Sequence, residues 1–129
     1  MKKENMALKF IDMLVSDTKT NPVEENLSIL SGAIGKYVIS RSIGEGINAG
    51  FVVRADRTGV VLRDARRLYF HRPLDKNLAW YEGVAVSGLH SDSKISGIVP
   101  EKYIIEDYSL IICSDAAKKS ITGFISHGS

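Results

Sequence analysis

The run Ile47-Asn48-Ala49-Gly50-Phe51-Val52-Val53-Arg54, the turn Asp56-Arg57-Thr58-Gly59 and the run Val60-Val61-Leu62-Arg63-Asp64-Ala65-Arg66-Arg67-Leu68-Tyr69 decide the fold. Valine, isoleucine and ring residues crowd both runs, while turn formers separate them, so residues 47–54 and 60–69 read as an antiparallel hairpin. Gly59 offers that turn a residue free to take positive φ. Just upstream, Tyr37-Val38-Ile39-Ser40-Arg41 reads as another strand, joined to the hairpin through the turn Gly44-Glu45-Gly46. Downstream, Tyr103-Ile104-Ile105 and Tyr108-Ser109-Leu110-Ile111-Ile112 are β-rich, with Glu106-Asp107 between them. The apolar stretch from Leu78 to Leu89 fits a strand or a short helix, and Ser91-Asp92-Ser93-Lys94 reads as a loop.

Helical patterns flank this β region. Met6, Leu8, Phe10, Ile11, Met13, Leu14 and Val15 form an apolar stripe that predicts an amphipathic helix over residues 4–16. Asn21-Pro22 supplies an N-cap and a first-turn proline for a second helix, which Gly35 ends. Ser114-Asp115-Ala116-Ala117-Lys118-Lys119 predicts a short helix with Ser114 as its N-cap, an acid at its start and lysines toward its end. The chain is therefore expected to be mainly β (α+β): a small β-barrel or sandwich with a helical N-terminal extension and a short C-terminal helix. The corresponding boundaries are 1–34 for the extension, 35–121 for a ligand-binding β domain and 122–129 for a tail.

Charge narrows the function classes. The 129 residues carry a formal net charge of +2, too small for a nonspecific duplex binder, but residues 36–82 hold nine basic groups against five acidic ones. All seven arginines lie in that stretch, at Arg41, Arg54, Arg57, Arg63, Arg66, Arg67 and Arg72. Arginine matches phosphate with a planar fork and stacks on rings. Asp64-Ala65-Arg66-Arg67-Leu68-Tyr69-Phe70-His71-Arg72 and the nearby Trp80-Tyr81 thus combine what a nucleotide pocket needs. Strand arginines also solvate outward sheet faces, and rings also pack cores, so each of these residues has a structural alternative.

The pattern ranks Arg66 and Arg67 first, because adjacent strand residues face opposite sides and one of them must share a surface with the rings. Tyr69, Phe70 and Trp80 are the stacking candidates. Arg54 and Arg57 bracket the hairpin, and Lys118 and Lys119 are placed to close the pocket. Two arginine contacts to phosphate at about 1.5–3 kcal/mol per charge-assisted bond, with a stacked base at about 1–3 kcal/mol, suffice for tight binding with no catalytic group.

Enzymatic readings find little support. Ser87, His90 and Asp92 lie close in sequence, but the mix is ordinary loop chemistry, and a triad needs convergence in space with an oxyanion site. His71, His90 and His127 share no ligand spacing and Cys113 is isolated, so neither metal nor cofactor is expected. Cys113 sits in an apolar run and is expected to be a buried, inert thiol. With no signal-peptide stretch and no run of about 18 apolar residues, a cytoplasmic location in a bacterial host cell and no membrane contact are expected.

The series Gly35-Lys36-Tyr37-Val38-Ile39-Ser40-Arg41-Ser42, Gly46-Ile47-Asn48-Ala49-Gly50, Val60-Val61-Leu62 and Asp64-Ala65-Arg66-Arg67-Leu68 resembles a family of small phage and prophage proteins. The ring cluster, Gly83-Val84-Ala85 and the ending Ile111-Ile112-Cys113-Ser114-Asp115-Ala116-Ala117-Lys118-Lys119-Ser120 carry the likeness to about residue 121. That family is similar to the anti-Thoeris signal sponges. The resemblance implies a phage-encoded anti-defence protein that sequesters a nucleotide immune messenger, a cyclic ADP-ribose isomer or a cyclic oligonucleotide, without cleaving it. It also implies a homo-oligomer, dimer or higher, with pockets at the dimer interface where a ring stacks on adenine and arginines hold the pyrophosphate. This chain departs from that pattern, with Lys118 and Lys119 where arginine is expected and Tyr69-Phe70-His71 where tryptophan is expected. The alternatives are a small β-barrel binding single-stranded nucleic acid and a phage protein-interaction or assembly module. On the sponge reading, Arg66→Ala or Arg67→Ala removes binding and leaves the thermal transition nearly intact.

Overall fold

The computed structural model describes residues 29–126, and the strands and helices named below all belong to the compact unit that begins at Ala33. The helix expected over residues 4–16 and most of the one expected to end at Gly35 lie outside the described residues. Residues 29–30 are helical and continue into the 3-10 turn Ser31–Ala33.

Six antiparallel strands form one sheet: β1 (Tyr37–Ser42), β2 (Gly46–Asp56), β3 (Gly59–Phe70), β4 (Lys94–Ile95), β5 (Val99–Ile104) and β6 (Tyr108–Ile112). The path is β4-β3-β2-β1-β6, with β5 also on β3. β3 is long enough to pair β5 along its first half and β4 from Leu68 to Phe70, while β2 occupies its other edge. Two helices complete the unit, α1 (Trp80–Ser87) and α2 (Asp115–Thr122). The Leu78–Leu89 stretch thus resolves as a helix, and the expected loop 91–94 gives its last residue to β4. The other correction concerns Gly59, which does not adopt positive φ. Its hydrogen side chain is needed because a Cβ there would run into the Ile104 carbonyl of β5.

The sheet curls strongly. Lys102 pairs with Leu62 and Asn48 pairs with Arg67, so on a flat sheet those two residues would stand roughly 19 Å apart, at about 3.3 Å per residue and 4.8 Å per strand. Yet Lys102 Nζ donates to Asn48 Oδ1 at 3.0 Å. Register shifts in β2 and β3 supply the bend; at the β3 shift Asp64 takes a left-handed φ of 53°. Curling brings the two ends of the path together, so the three residues between β5 and β6 connect strands at opposite edges. In that link Glu106 accepts from the backbone N–H groups of Gly44 (2.6 Å) and Glu45 (3.0 Å), tying it to the β1–β2 turn. Among the described residues no ladder joins β5 to β6, so the sheet is curled and open.

Alternation sorts the side chains onto two faces. Val38, Val52, Leu62 and Ile104 fill the concave face, with the buried Ser40 and Asn48. Tyr37, Ile39, Ala49 and Leu68 point to the convex face and form one core with Val84, Ala85 and Leu89 from α1 and its end, Ile95, and Ile121 of α2. Ser114 caps α2 as its sequence predicts, accepting from Ala117 N at 3.0 Å, while its hydroxyl donates to Val86 O. The helix runs to Thr122, and Phe124 beyond it still packs on the core. Among the described residues no helix is long and apolar enough to cross a membrane.

Candidate functional site

Where β3 ends and α1 begins, the chain assembles a cleft of about 310 Å³ lined by Arg41, Ile47, Tyr69, Phe70, His71, Trp80 and Tyr81. Its floor follows from strand periodicity. Arg41 continues the convex row of Tyr37 and Ile39 past the point where the helices cover it, and it pairs across the hairpin with Ile47. Tyr69 and Phe70 close β3, and the loop from His71 returns the chain as α1, whose first residues are Trp80 and Tyr81.

The doublet divides its tasks. Tyr81 packs on the core, whereas Trp80 is 72% exposed. Trp80 also adopts a left-handed φ of 47°, which costs a bulky residue about 1–3 kcal/mol and occurs mostly where surrounding structure imposes it. Ala79, at the N-cap position, makes no side-chain cap. Arg41 lies over Tyr81, its guanidinium carbon 5.8 Å from the ring centroid, within cation–π range. No carboxylate lines the cleft. Burial pushes the His71 imidazole below its ordinary pKa, so it is neutral at pH 7, with Nδ1 3.3 Å from Leu68 O. The site therefore offers stacking surfaces, one permanent cation and a neutral imidazole.

The other residues singled out by sequence go elsewhere. Arg66 is 3% exposed and does not reach the cleft. Its Nε donates to Ser96 O at 2.8 Å and its Nη1 to Ile121 O at 2.6 Å, so it clamps the last turn of α2 onto β3. A guanidinium at a helix C-terminus also complements the negative end of the helix dipole. Burial lowers the Arg66 pKa, yet a guanidinium stays charged. Arg67 is exposed and belongs to the concave face with its partner Asn48, its guanidinium lying over Gly46.

Arg54 lines a separate cavity of about 250 Å³ with Asp56, Thr58, Tyr103 and Ile105, and Arg57 sits exposed in the hairpin turn. Ile47 and Arg54 are seven residues apart on β2, up to about 23 Å along an extended strand, so the cleft and the hairpin turn are different places. Lys118 stands over the Phe51 ring (5.1 Å), which Arg63 also approaches (4.5 Å). Lys119 lines a third cavity, of about 500 Å³, with Ser120, Phe124 and Ile125. Of the nine residues chosen from sequence, only Tyr69, Phe70 and Trp80 meet in the cleft.

Arg41, Ile47, His71 and Tyr81 also line the cleft, and none of them was among those nine. The available signal for Arg41 was its phase: it shares a face with Tyr37 and Ile39, and that face is the one the helix bearing Trp80-Tyr81 covers.

The serine, histidine and aspartate near residue 90 do not converge. Ser87 Oγ donates to Gly83 O and accepts from Asp75 N, while His90 pairs with Asp92 at 2.7 Å. Among the described residues no group of three histidine, cysteine or acidic side chains is arranged to hold a metal. Burial pushes the Cys113 thiol up to about 12.

A family model described as a domain of unknown function (DUF6948) matches residues 35–121. No curated protein and no solved structure matches the chain.

Proposed function

The chain belongs to the DUF6948 family, whose description assigns no activity, and from the site itself we propose that it binds and sequesters a nucleotide messenger without cleaving it. The observation that carries this reading is the cleft: an exposed, conformationally imposed Trp80 beside Tyr69, Phe70 and Arg41, with no carboxylate to repel phosphate. A purine stacks on the rings for about 1–3 kcal/mol, and Arg41 adds a charge-assisted contact to phosphate of about 1.5–3 kcal/mol. At about 310 Å³ the cleft is at the lower end of ligand pockets and accommodates the base-bearing part of a ligand. The resemblance to anti-Thoeris sponges supports a cyclic ADP-ribose isomer or a cyclic oligonucleotide as that ligand, and a phage protein acting in the bacterial cytoplasm as its bearer.

Trp80 is the chain's one tryptophan, so its fluorescence reports directly on the cleft. Titration with cyclic ADP-ribose isomers and with cyclic di- and trinucleotides should quench it saturably, raise the melting temperature and release unchanged ligand on heating. Fluorescence and melting temperature unmoved by the whole panel would defeat the proposal. Affinity that grows with oligonucleotide length and falls steeply with salt would replace it with single-strand binding.

A further inference from the structure

The outer edge of β6 carries an inference independent of the cleft. Cys113 N donates to Tyr37 O at 2.9 Å, which fixes the phase of the β1–β6 ladder. With Ile39 opposite Ile111 and Arg41 opposite Ser109, residues 109, 111 and 113 turn their backbone groups toward β1. Tyr108, Leu110 and Ile112 turn theirs outward. The other side of β1 agrees: Val52 N donates to Lys36 O, so the even-numbered residues of β1 bond to β2 and are unavailable to β6. Three N–H and three C=O groups therefore line one edge with no partner strand among the described residues.

Protein sheets normally protect such an edge with charge, proline or a bulge. β5, on the facing edge, has Pro100, which lacks an N–H, followed by Glu101 and Lys102. β6 is Tyr108-Ser109-Leu110-Ile111-Ile112, with no charge, no proline and an unbroken register. Ile112 is 52% exposed, and Ile105, just before the β6 turn, is 75% exposed.

We infer that β6 is a self-association edge, at which two copies of this chain pair antiparallel about a two-fold axis through Leu110. The occupant follows from the pattern of backbone groups. Under that axis Tyr108 meets Ile112 of the second copy and Leu110 meets its own equivalent, so all outward groups bond in three reciprocal pairs. A shift of one residue would set outward groups against inward ones and lose the ladder. The uncharged edge presents no like-charge contact to its own copy, whereas the β5 edge carries Glu101 and Lys102.

The test is the mass in solution and the register. At tens of micromolar, light scattering should give twice the 14.2 kDa chain mass. Ile112→Lys should return the protein to a single-chain mass with its thermal transition retained. In a Cys113→Ser background, Leu110→Cys should form an intermolecular disulfide on mild oxidation, since residues in a bonded antiparallel pair have Cα atoms about 5.5 Å apart, within disulfide range. Ser109→Cys in the same background should cross-link several-fold less. A single-chain mass for the unmodified protein overturns the inference. So does a dimer that persists in Ile112→Lys, or cross-linking as efficient at position 109 as at position 110.

Discussion

Two of the arginines set beside aromatic rings on the convex side of this protein, Arg66 and Arg41, have opposite consequences. Between β3 and α2, Arg66 lies near the buried Tyr37, whose ring meets Phe51 edge-on with centroids 4.9 Å apart. There two of the guanidinium's nitrogens donate to main-chain carbonyls, and the arrangement holds a helix in place. Between β3 and α1, Arg41 lies over Tyr81 beside an exposed Trp80, and its fork faces a cleft. Residue type is the same in both places; what differs is whether the helix above covers the arginine or stops short of it. Local composition can thus announce an arginine–ring pair without telling whether it is a clamp or a binding surface.

The largest effect is expected of Arg66→Ala. It leaves the Ser96 and Ile121 carbonyls without their donor, and at about 1–3 kcal/mol for each such group the variant should lose roughly 2–6 kcal/mol by urea denaturation. This reverses the sequence-based expectation of lost binding with an intact transition. A loss below about 1 kcal/mol would mean the clamp reading is wrong.

Next in size are the cleft residues, for which binding and stability should separate. Trp80→Gly should weaken nucleotide binding at least tenfold, about 1.4 kcal/mol, while stability holds or rises by up to about 1 kcal/mol as left-handed strain is relieved. Arg41→Ala should weaken binding comparably and shift stability by no more than about 0.5 kcal/mol. Binding by fluorescence or calorimetry, with the unfolding transition measured alongside, checks both variants. Equal losses in the two readouts would make the cleft a second structural cluster.

A smaller effect tests the buried side from within. Tyr37 OH is buried without a hydrogen-bond partner among the described residues, and burial raises its pKa. Tyr37→Phe removes that unsatisfied group and should change stability by between zero and a gain of about 1 kcal/mol. A clear loss in urea denaturation would reveal that the hydroxyl has a role in the clamp.

The smallest expected effect lies at the turns. The Ser42 hydroxyl and the N–H groups of Glu45 and Gly44 hold the Glu106 carboxyl below its ordinary pKa, and the Thr58 hydroxyl and N–H do the same for Asp56. A carboxylate depressed by folding stabilises above its unfolded pKa, and the contribution disappears as pH falls through the folded value. Stability should therefore decline as pH drops below about 4.5, and Glu106→Gln with Asp56→Asn should flatten that decline. An unchanged acid limb in the double variant would show that the link from β5 to β6 does not depend on these caps.

Much of the fold was legible because its signals are local. The residues of β1 and the bounds of β6 follow from β-rich runs between turn formers, and Ser114 caps α2 as its side-chain chemistry requires. β5 starts at Val99, four residues before the run read from sequence, with Pro100 accommodated in an edge strand, and it stops at Ile104, one residue short of that run's end. Gly59 was assigned to conformation when its reason is the approach of β5, a contact between residues 45 positions apart. The cleft was half legible. Tyr69, Phe70 and Trp80 stand out as rings, but Arg41 joins them only because β1 lies beside β2 and α1 packs against β1.

By itself the sequence determined the strand runs, the sharp turns, the cap of the last helix and the concentration of arginine and rings between residues 41 and 81. Those features depend on neighbours within a few positions, where propensity and side-chain phase act directly. Tertiary structure alone decided which arginine is buried, which rings share a surface and which strand edge stays open. Each of those outcomes depends on how far the sheet curls and where a helix stops, and the register shifts that bend β2 and β3 bring together residues far apart in the chain.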